Sequence, residues 1–265
     1  MLLAHPALVR RAVATALLAL GTWVLPLHAA DAPAPAPAPR DASGRVLIAN
    51  VPGEPIGLWV TDYSTRLPFF VVDQIRFKPW AKGLYDARQA HDLEPHARCK
   101  ASGAIRQFLT PYGVEIVEFA DLQQIYIFDL GGPHTWRTIY LDGRGHPADL
   151  DPSNYGHSIG HWEGDTLVVE TVGYNTAFWF ERAGLPHTES AKTTEYFTRR
   201  DARTLDYRFV LEDPLTYDAP VEGRLKMNWR QEELFEYVCQ QSNYAPELMV
   251  GDNIDAIGRS STVVP

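Results

Sequence analysis

From Ile105 onward, apolar and polar positions alternate in short runs broken by Gly, Pro and Asp. Successive side chains of a strand point to opposite faces, so runs of this kind read as strands with one buried face. They fall at residues 114–119, 124–128, 136–141, 166–172, 193–199, 205–211, 224–230 and 234–239. The first run reads Val-Glu-Ile-Val-Glu-Phe, and residues 200–204 have the polar composition of a hairpin turn. Short strands at this regular spacing, with few helical patterns between them, predict a mainly β fold: an antiparallel β-barrel of lipocalin-like or calycin-like type. Residues 51–96 are less regular and are punctuated by Pro52, Pro55, Pro68 and Pro79. One short helix is expected there, over residues 82–91, with Leu84, Tyr85, Ala87 and Arg88 on a common face and a structural role.

The densest chemistry lies between Trp136 and Asn175. Asp142-Gly143 is a turn dipeptide that ends one strand, and Glu163-Gly164-Asp165 is a tight turn in which Gly164 can take a positive φ. Between them Gly143, Gly145, Pro147, Pro152, Gly156 and Gly160 exclude a long helix. They predict a loop crossing one end of the sheet, a usual place for functional groups.

The first thirty residues read as an address. Arg10 and Arg11 form a basic n-region, residues 12–27 an apolar run, and His28-Ala29-Ala30 a cleavage site. Val9 and Ala12 flank the arginines in a way that fits the general secretory route better than the twin-arginine one. The apolar run is shorter than the roughly 20 residues a bilayer span needs, which argues against a retained anchor. Residues 31–43, with their Ala-Pro alternation, read as an extended spacer, and residues 44–265 as one domain. The protein is therefore expected in the periplasm or outside the cell.

The chain carries 24 basic and 33 acidic residues, net −9. Cleavage after Ala30 would remove two arginines and leave 22 against 33, net −11. Such a balance does not suit nucleic-acid phosphates or anionic membranes, so the expected partner is a small molecule. Cys99 and Cys239 are the two cysteines. In an oxidising compartment they are expected to pair, tying the early part of the domain to its last strand.

The segments D-G-R-G-H-P (142–147) and G-H-S-I-G-H-W-E-G-D-T-L-V-V-E-T-V-G-Y-N (156–175) stand with P-W-A (79–81) upstream. Downstream come G-L-P-H-T-E (184–189), E-D-P-L-T-Y (212–217) and E-Y-V-C (236–239). Together they resemble an exported bacterial family of largely unassigned function, over most of residues 57–243. The resemblance implies a shared fold and a shared pocket but brings no reaction with it. Family members carry a basic residue other than histidine at the position of His161, and a histidine where this chain has Lys192. A metal site using that second position would be weakened here.

The reaction class must come from the residues. Imidazole is available in both protonation states near neutrality, so His157, His146 and His187 are the candidate acids and bases. Asp142 can orient a ring, Arg144 can hold a carboxylate or enolate through its planar fork, and Tyr155 can donate a proton. Tyr140, Trp162, Phe178, Trp179 and Lys192 are the candidate substrate-binding residues, with 176–180 lining the mouth of a barrel pocket. This set predicts a lyase or isomerase acting on a small apolar, aromatic or terpenoid molecule, with no cofactor. A lipocalin-like carrier and a histidine-ligated metal enzyme are the alternatives; the spacing H-x10-H-x3-H is no recognised metal signature, and H-E-x-x-H is absent. The blandest alternative is a structural network of Asp142, Arg144 and Asp165 with His157 packed under Trp162. Gly156-His157-Ser158-Ile159-Gly160 matches a nucleophile elbow in letters only, because no helix follows it.

Overall fold

The structure, a computed structural model, describes residues 35–49, 53–64, 72–92, 94–131, 133–237 and 239. The expected leader and the first part of the spacer lie outside these. Ten elements frame the fold. They are β1 (Leu58–Thr61), α1 (Pro79–His91), β2 (Val114–Phe119), β3 (Gln124–Asp129), β4 (Trp136–Tyr140), β5 (His157–Glu163), β6 (Thr166–Val172), β7 (Lys192–Arg199), β8 (Thr204–Glu212) and β9 (Val221–Arg230). The nine strands close into a barrel in sequence order, with β1 beside β9. Closure leaves no unpaired strand edge.

Eight of the nine pairings are antiparallel and β4–β5 is parallel. A parallel pair needs a connection that returns from one end of the strands to the other. Residues 141–156 make it, running along the outside of the barrel. This corrects two expectations: the loop does not cross one end of the sheet, and residues 157–163 are a strand. The glycines that read as breakers fit the strand for steric reasons. Gly156 has φ +60°, and a Cβ there would lie 2.4 Å from the Val172 carbonyl oxygen. At the far end of β5, Gly164 takes the expected positive φ, +58°.

The expected runs match β2, β3, β4, β6, β7, β8 and β9 to within a few residues. β1 lies in the stretch read as irregular. Residues 234–237 are not a strand, because β9 is already paired on both sides by β8 and β1. Cys99 and Cys239 do form a disulfide; it ties down the segment after β9 rather than a last strand. The helix begins three residues early, at Pro79, where the missing N–H would be unpaired in any case. No helix among the described residues is long and apolar enough to cross a membrane.

Alternation sets the core. Each inward position of β8 is buried and each outward one partly exposed, over nine residues. Ile125, Ile127, Ile139, Leu167, Val169, Phe197, Phe209 and Met227 are all within 1 % of full burial. Burying each such side chain is worth about 1.5–3 kcal/mol. Phe108, carried on a 3-10 turn (Arg106–Leu109), enters the barrel and lies 4.6 Å from Tyr207 and 5.7 Å from Phe197 between ring centres. One mouth is covered by residues 35–49. Arg40 pairs with Asp165, Ala202 N–H donates to Ala36, and Glu118 accepts from the N–H groups of Ile48 and Ala49. Residues 36–40 are therefore bonded to the barrel rather than left as a free spacer. At the opposite mouth, α1 sets Arg88 over Trp179 and Tyr85 against Phe77, which also meets Tyr217.

Candidate functional site

β5 presents His157 on the outer face of the barrel, where the returning loop lays His146 against it. The two Nδ1 atoms are 2.8 Å apart, with the rings at 74°. Tyr140, outward on β4, stacks on the other side of His157 at 5.1 Å and 20°, and Arg144 lies 4.0 Å over Tyr140. Arg144 is held in place by Asp142 through contacts of 2.9 and 2.5 Å. On β6, one strand over, Glu170 brings Oε1 to 3.3 Å from His146 Nε2. This is within ion-pair range but poorly aligned for a hydrogen bond, and Nε2 has no hydrogen-bond partner.

The neighbours fix the tautomers. A contact between two Nδ1 atoms needs one donor and one acceptor. If His146 donated, its bare Nε2 would face the Glu170 carboxylate, lone pair against anion. With His157 Nδ1–H as donor, His146 Nε2–H faces Glu170 instead, and His157 Nε2 is left as a free lone pair. Burial, reinforced by His146 and Arg144, holds the pKa of His157 below the ordinary imidazole value. The ring is therefore neutral at pH 7, the form a general base requires.

Other expected residues stand elsewhere. His187 is buried, with Phe178 and Phe180 each 4.5 Å away between ring centres and Nε2 2.8 Å from the Asn175 carbonyl; burial lowers its pKa to about 4. Its bonds and ring contacts are with that cluster and not with His146 or His157. Tyr155 also belongs to a different cluster, hydrogen-bonded to Thr135 at 2.6 Å and to Asp129 at 3.1 Å. Phe178 and Trp179 are packed inside, 1 % and 8 % exposed, so they do not line an open mouth as expected. Lys192 forms a surface pair with Glu212, and His161 one with Glu163. Asp165 pairs with Arg40, not with Asp142 and Arg144. Trp162 faces the opposite side of β5 from His157, packs on the core and carries Arg45 at 5.0 Å. Ser158 points inward and hydrogen-bonds Thr171 Oγ1, unlike an exposed nucleophile.

Two buried arrangements centre on residues outside the expected site set. Arg137 and Glu195 form a bidentate pair inside the barrel at 2.7 and 2.9 Å, and Tyr207 donates to the same carboxylate at 2.7 Å. Their signal was a charge in phase with apolar neighbours: Arg137 with Ile139, Glu195 with Phe197. The second centres on Asp129, whose pKa burial pushes up to about 6 while Ser102, the Gly131 N–H and Tyr155 hold it down. His96 lies 2.9 Å from Ser102 and is lowered to about 4 by burial and Arg106. The signal here was Asp129-Leu130-Gly131, where the carboxylate accepts from the N–H two residues on at 2.9 Å.

The histidine pair as arranged does not fit zinc bound through these nitrogens. Bonds of 2.0–2.1 Å at a tetrahedral angle would separate them by about 3.3 Å. Among the described residues no three His, Cys, Asp or Glu side chains are grouped to hold a metal ion. No family model, curated protein or solved structure matches this chain.

Proposed function

We propose that the chain is a general acid–base enzyme of lyase or isomerase type whose proton-transfer device is Glu170–His146–His157 on the outer face of the barrel. The observation that carries this reading is the 2.8 Å contact between the two imidazoles. It leaves one ring with Nε2 facing a carboxylate and the other with an open Nε2.

In the reaction, His157 Nε2 takes a proton from carbon next to a carbonyl, and the electron pair moves to the carbonyl oxygen. The positive charge gained by His157 is shared with His146 and balanced by Glu170. Arg144 is the nearby cation for the developing oxyanion. Return of the proton to a different carbon completes an isomerisation; loss of a β-substituent completes an elimination. Protein groups suffice for these steps. The substrate is a small carbonyl compound, apolar enough to lie against the Tyr140 ring. The disulfide agrees with an oxidising location, periplasmic or secreted.

The test is proton exchange into a panel of small ketones and enones in heavy water, followed by NMR. Wild-type protein is expected to catalyse exchange, and His157→Gln to lower it by about 10²–10⁴-fold with an unchanged melting curve. Equal exchange by the variant, or none by the wild type with any member of the panel, would overturn the reading. A carrier would show binding without exchange.

A further inference from the structure

At the mouth covered by residues 35–49, a groove of about 240 Å³ opens between the β2–β3 connection, Leu141, Trp162 and Arg45. It lies on the inner side of β5 and does not depend on the histidine pair. Its walls are tied together by hydrogen bonds. Leu141 N–H donates to the Gln123 carbonyl at 2.8 Å, and Gln123 itself holds a left-handed backbone, φ +50°. A non-glycine residue in that region is uncommon and is found where surrounding structure holds it. Tyr126 donates to Gln124 Oε1 at 3.0 Å, which orients the Gln124 amide so that its NH₂ remains a donor.

Three features of the lining define an occupant. Gln124 keeps its NH₂ as a donor for a ligand acceptor, and a hydrogen bond of that kind is worth about 0.5–1.5 kcal/mol. Ile125, Leu141 and Phe119 supply an apolar surface. The charge is already settled, because Arg45 is bound by both Asp41 and Glu118 at 3.1 Å. An added anion would meet a net negative rim. An added cation would find the face of Trp162 occupied by the Arg45 guanidinium, 5.0 Å away. The volume is below the roughly 300–1,000 Å³ of sites that enclose drug-sized ligands.

We infer that this groove is a binding site for a small uncharged molecule built on a single ring and carrying one hydrogen-bond acceptor. Acetophenone is a probe of that class; benzoate adds a charge to the same skeleton, and toluene removes the acceptor. Binding is read from the Trp162 indole N–H signal in the ¹H–¹⁵N spectrum, assigned with Trp162→Phe, and from saturation transfer to the probe. Acetophenone is expected to shift that signal saturably, with benzoate and toluene each at least about tenfold weaker, the worth of one lost or opposed polar contact. Ala120 is exposed on the groove wall, so Ala120→Phe fills the groove without entering the core and should abolish binding with an unchanged melting curve. Gln124→Leu removes the amide donor from the groove wall and should weaken binding about tenfold. His157→Gln should bind acetophenone like wild type, which separates this site from the acid–base reading. No saturable shift, binding unaffected by both Ala120→Phe and Gln124→Leu, or benzoate bound as well as acetophenone would overturn the inference.

Discussion

Arg137 and Glu195 inside the barrel, and His146 and His157 outside it, each join titratable groups closely, at 2.7 and 2.8 Å. Their surroundings are opposite. The inner pair has side chains 1 % and 0 % exposed, and Glu195 is further bound by Tyr207. Burial opposes the charge on Arg137, but the adjacent carboxylate outweighs it and holds the guanidinium firmly protonated. No proton is free to move there. The outer pair rests against a loop, keeps one nitrogen bare and faces a half-exposed carboxylate, Glu170. A titratable group deep in a barrel is thus no better a guide to chemistry than one on its flank; what matters is whether its proton has somewhere to go.

The comparison breaks most visibly if the inner pair is split. Glu195→Leu should cost about 3–5 kcal/mol in urea unfolding, since it strands a buried guanidinium. Arg137→Leu combined with Glu195→Leu should recover most of that loss. A single variant as stable as wild type would mean the inside is wetter than described.

Acid gives the next largest effect. His96 and His187 are lowered to about 4, so the native chain binds fewer protons there than the unfolded one, and stability falls as pH drops from 6.5 to 4. Each contributes roughly 3 kcal/mol over that window. Asp129, raised to about 6, acts in the other direction: its contribution is present at low pH and is lost as pH rises from about 4 to 6. Comparing urea midpoints at pH 4.5 and 7, His187→Gln should be less acid-sensitive than wild type and Asp129→Asn more so. Reversed signs would contradict these assignments.

Most of the fold was legible because the alternation of β2, β6, β7 and β8 is set directly by one buried face. The parallel β4–β5 pairing was not, since nothing local distinguishes a strand that follows a crossover from one that follows a hairpin. Gly156 and Gly160 added to this by resembling breakers. At the candidate site, His146, His157, Asp142, Arg144 and Tyr140, grouped by nearness in sequence, are also neighbours in the structure. The same nearness also gathered in Tyr155 and His187, which long-range packing carries to other clusters. Glu170 was invisible because it meets His146 only through the β5–β6 register and the path of the returning loop together.

Smaller effects sharpen the outer half of the comparison. Removing Arg40, half-exposed in its pair with Asp165, should leave the urea midpoint unchanged within error, because water and salt screen such pairs. His157→Gln should shift stability by about 0.5 kcal/mol or less while lowering the proposed exchange by about 10²–10⁴-fold. A large loss of stability would instead mark the histidine pair as a structural clasp for the returning loop.

The most direct test is a long-range ¹H–¹⁵N NMR titration of the imidazoles, assigned with His146→Gln and His157→Gln. At pH 8, His157 should be the Nδ1–H tautomer and His146 the Nε2–H tautomer. On acidification His157 should take up its proton below the ordinary histidine pKa. Two Nε2–H rings, with His157 titrating at the ordinary value of about 6.5, would contradict the acid–base device.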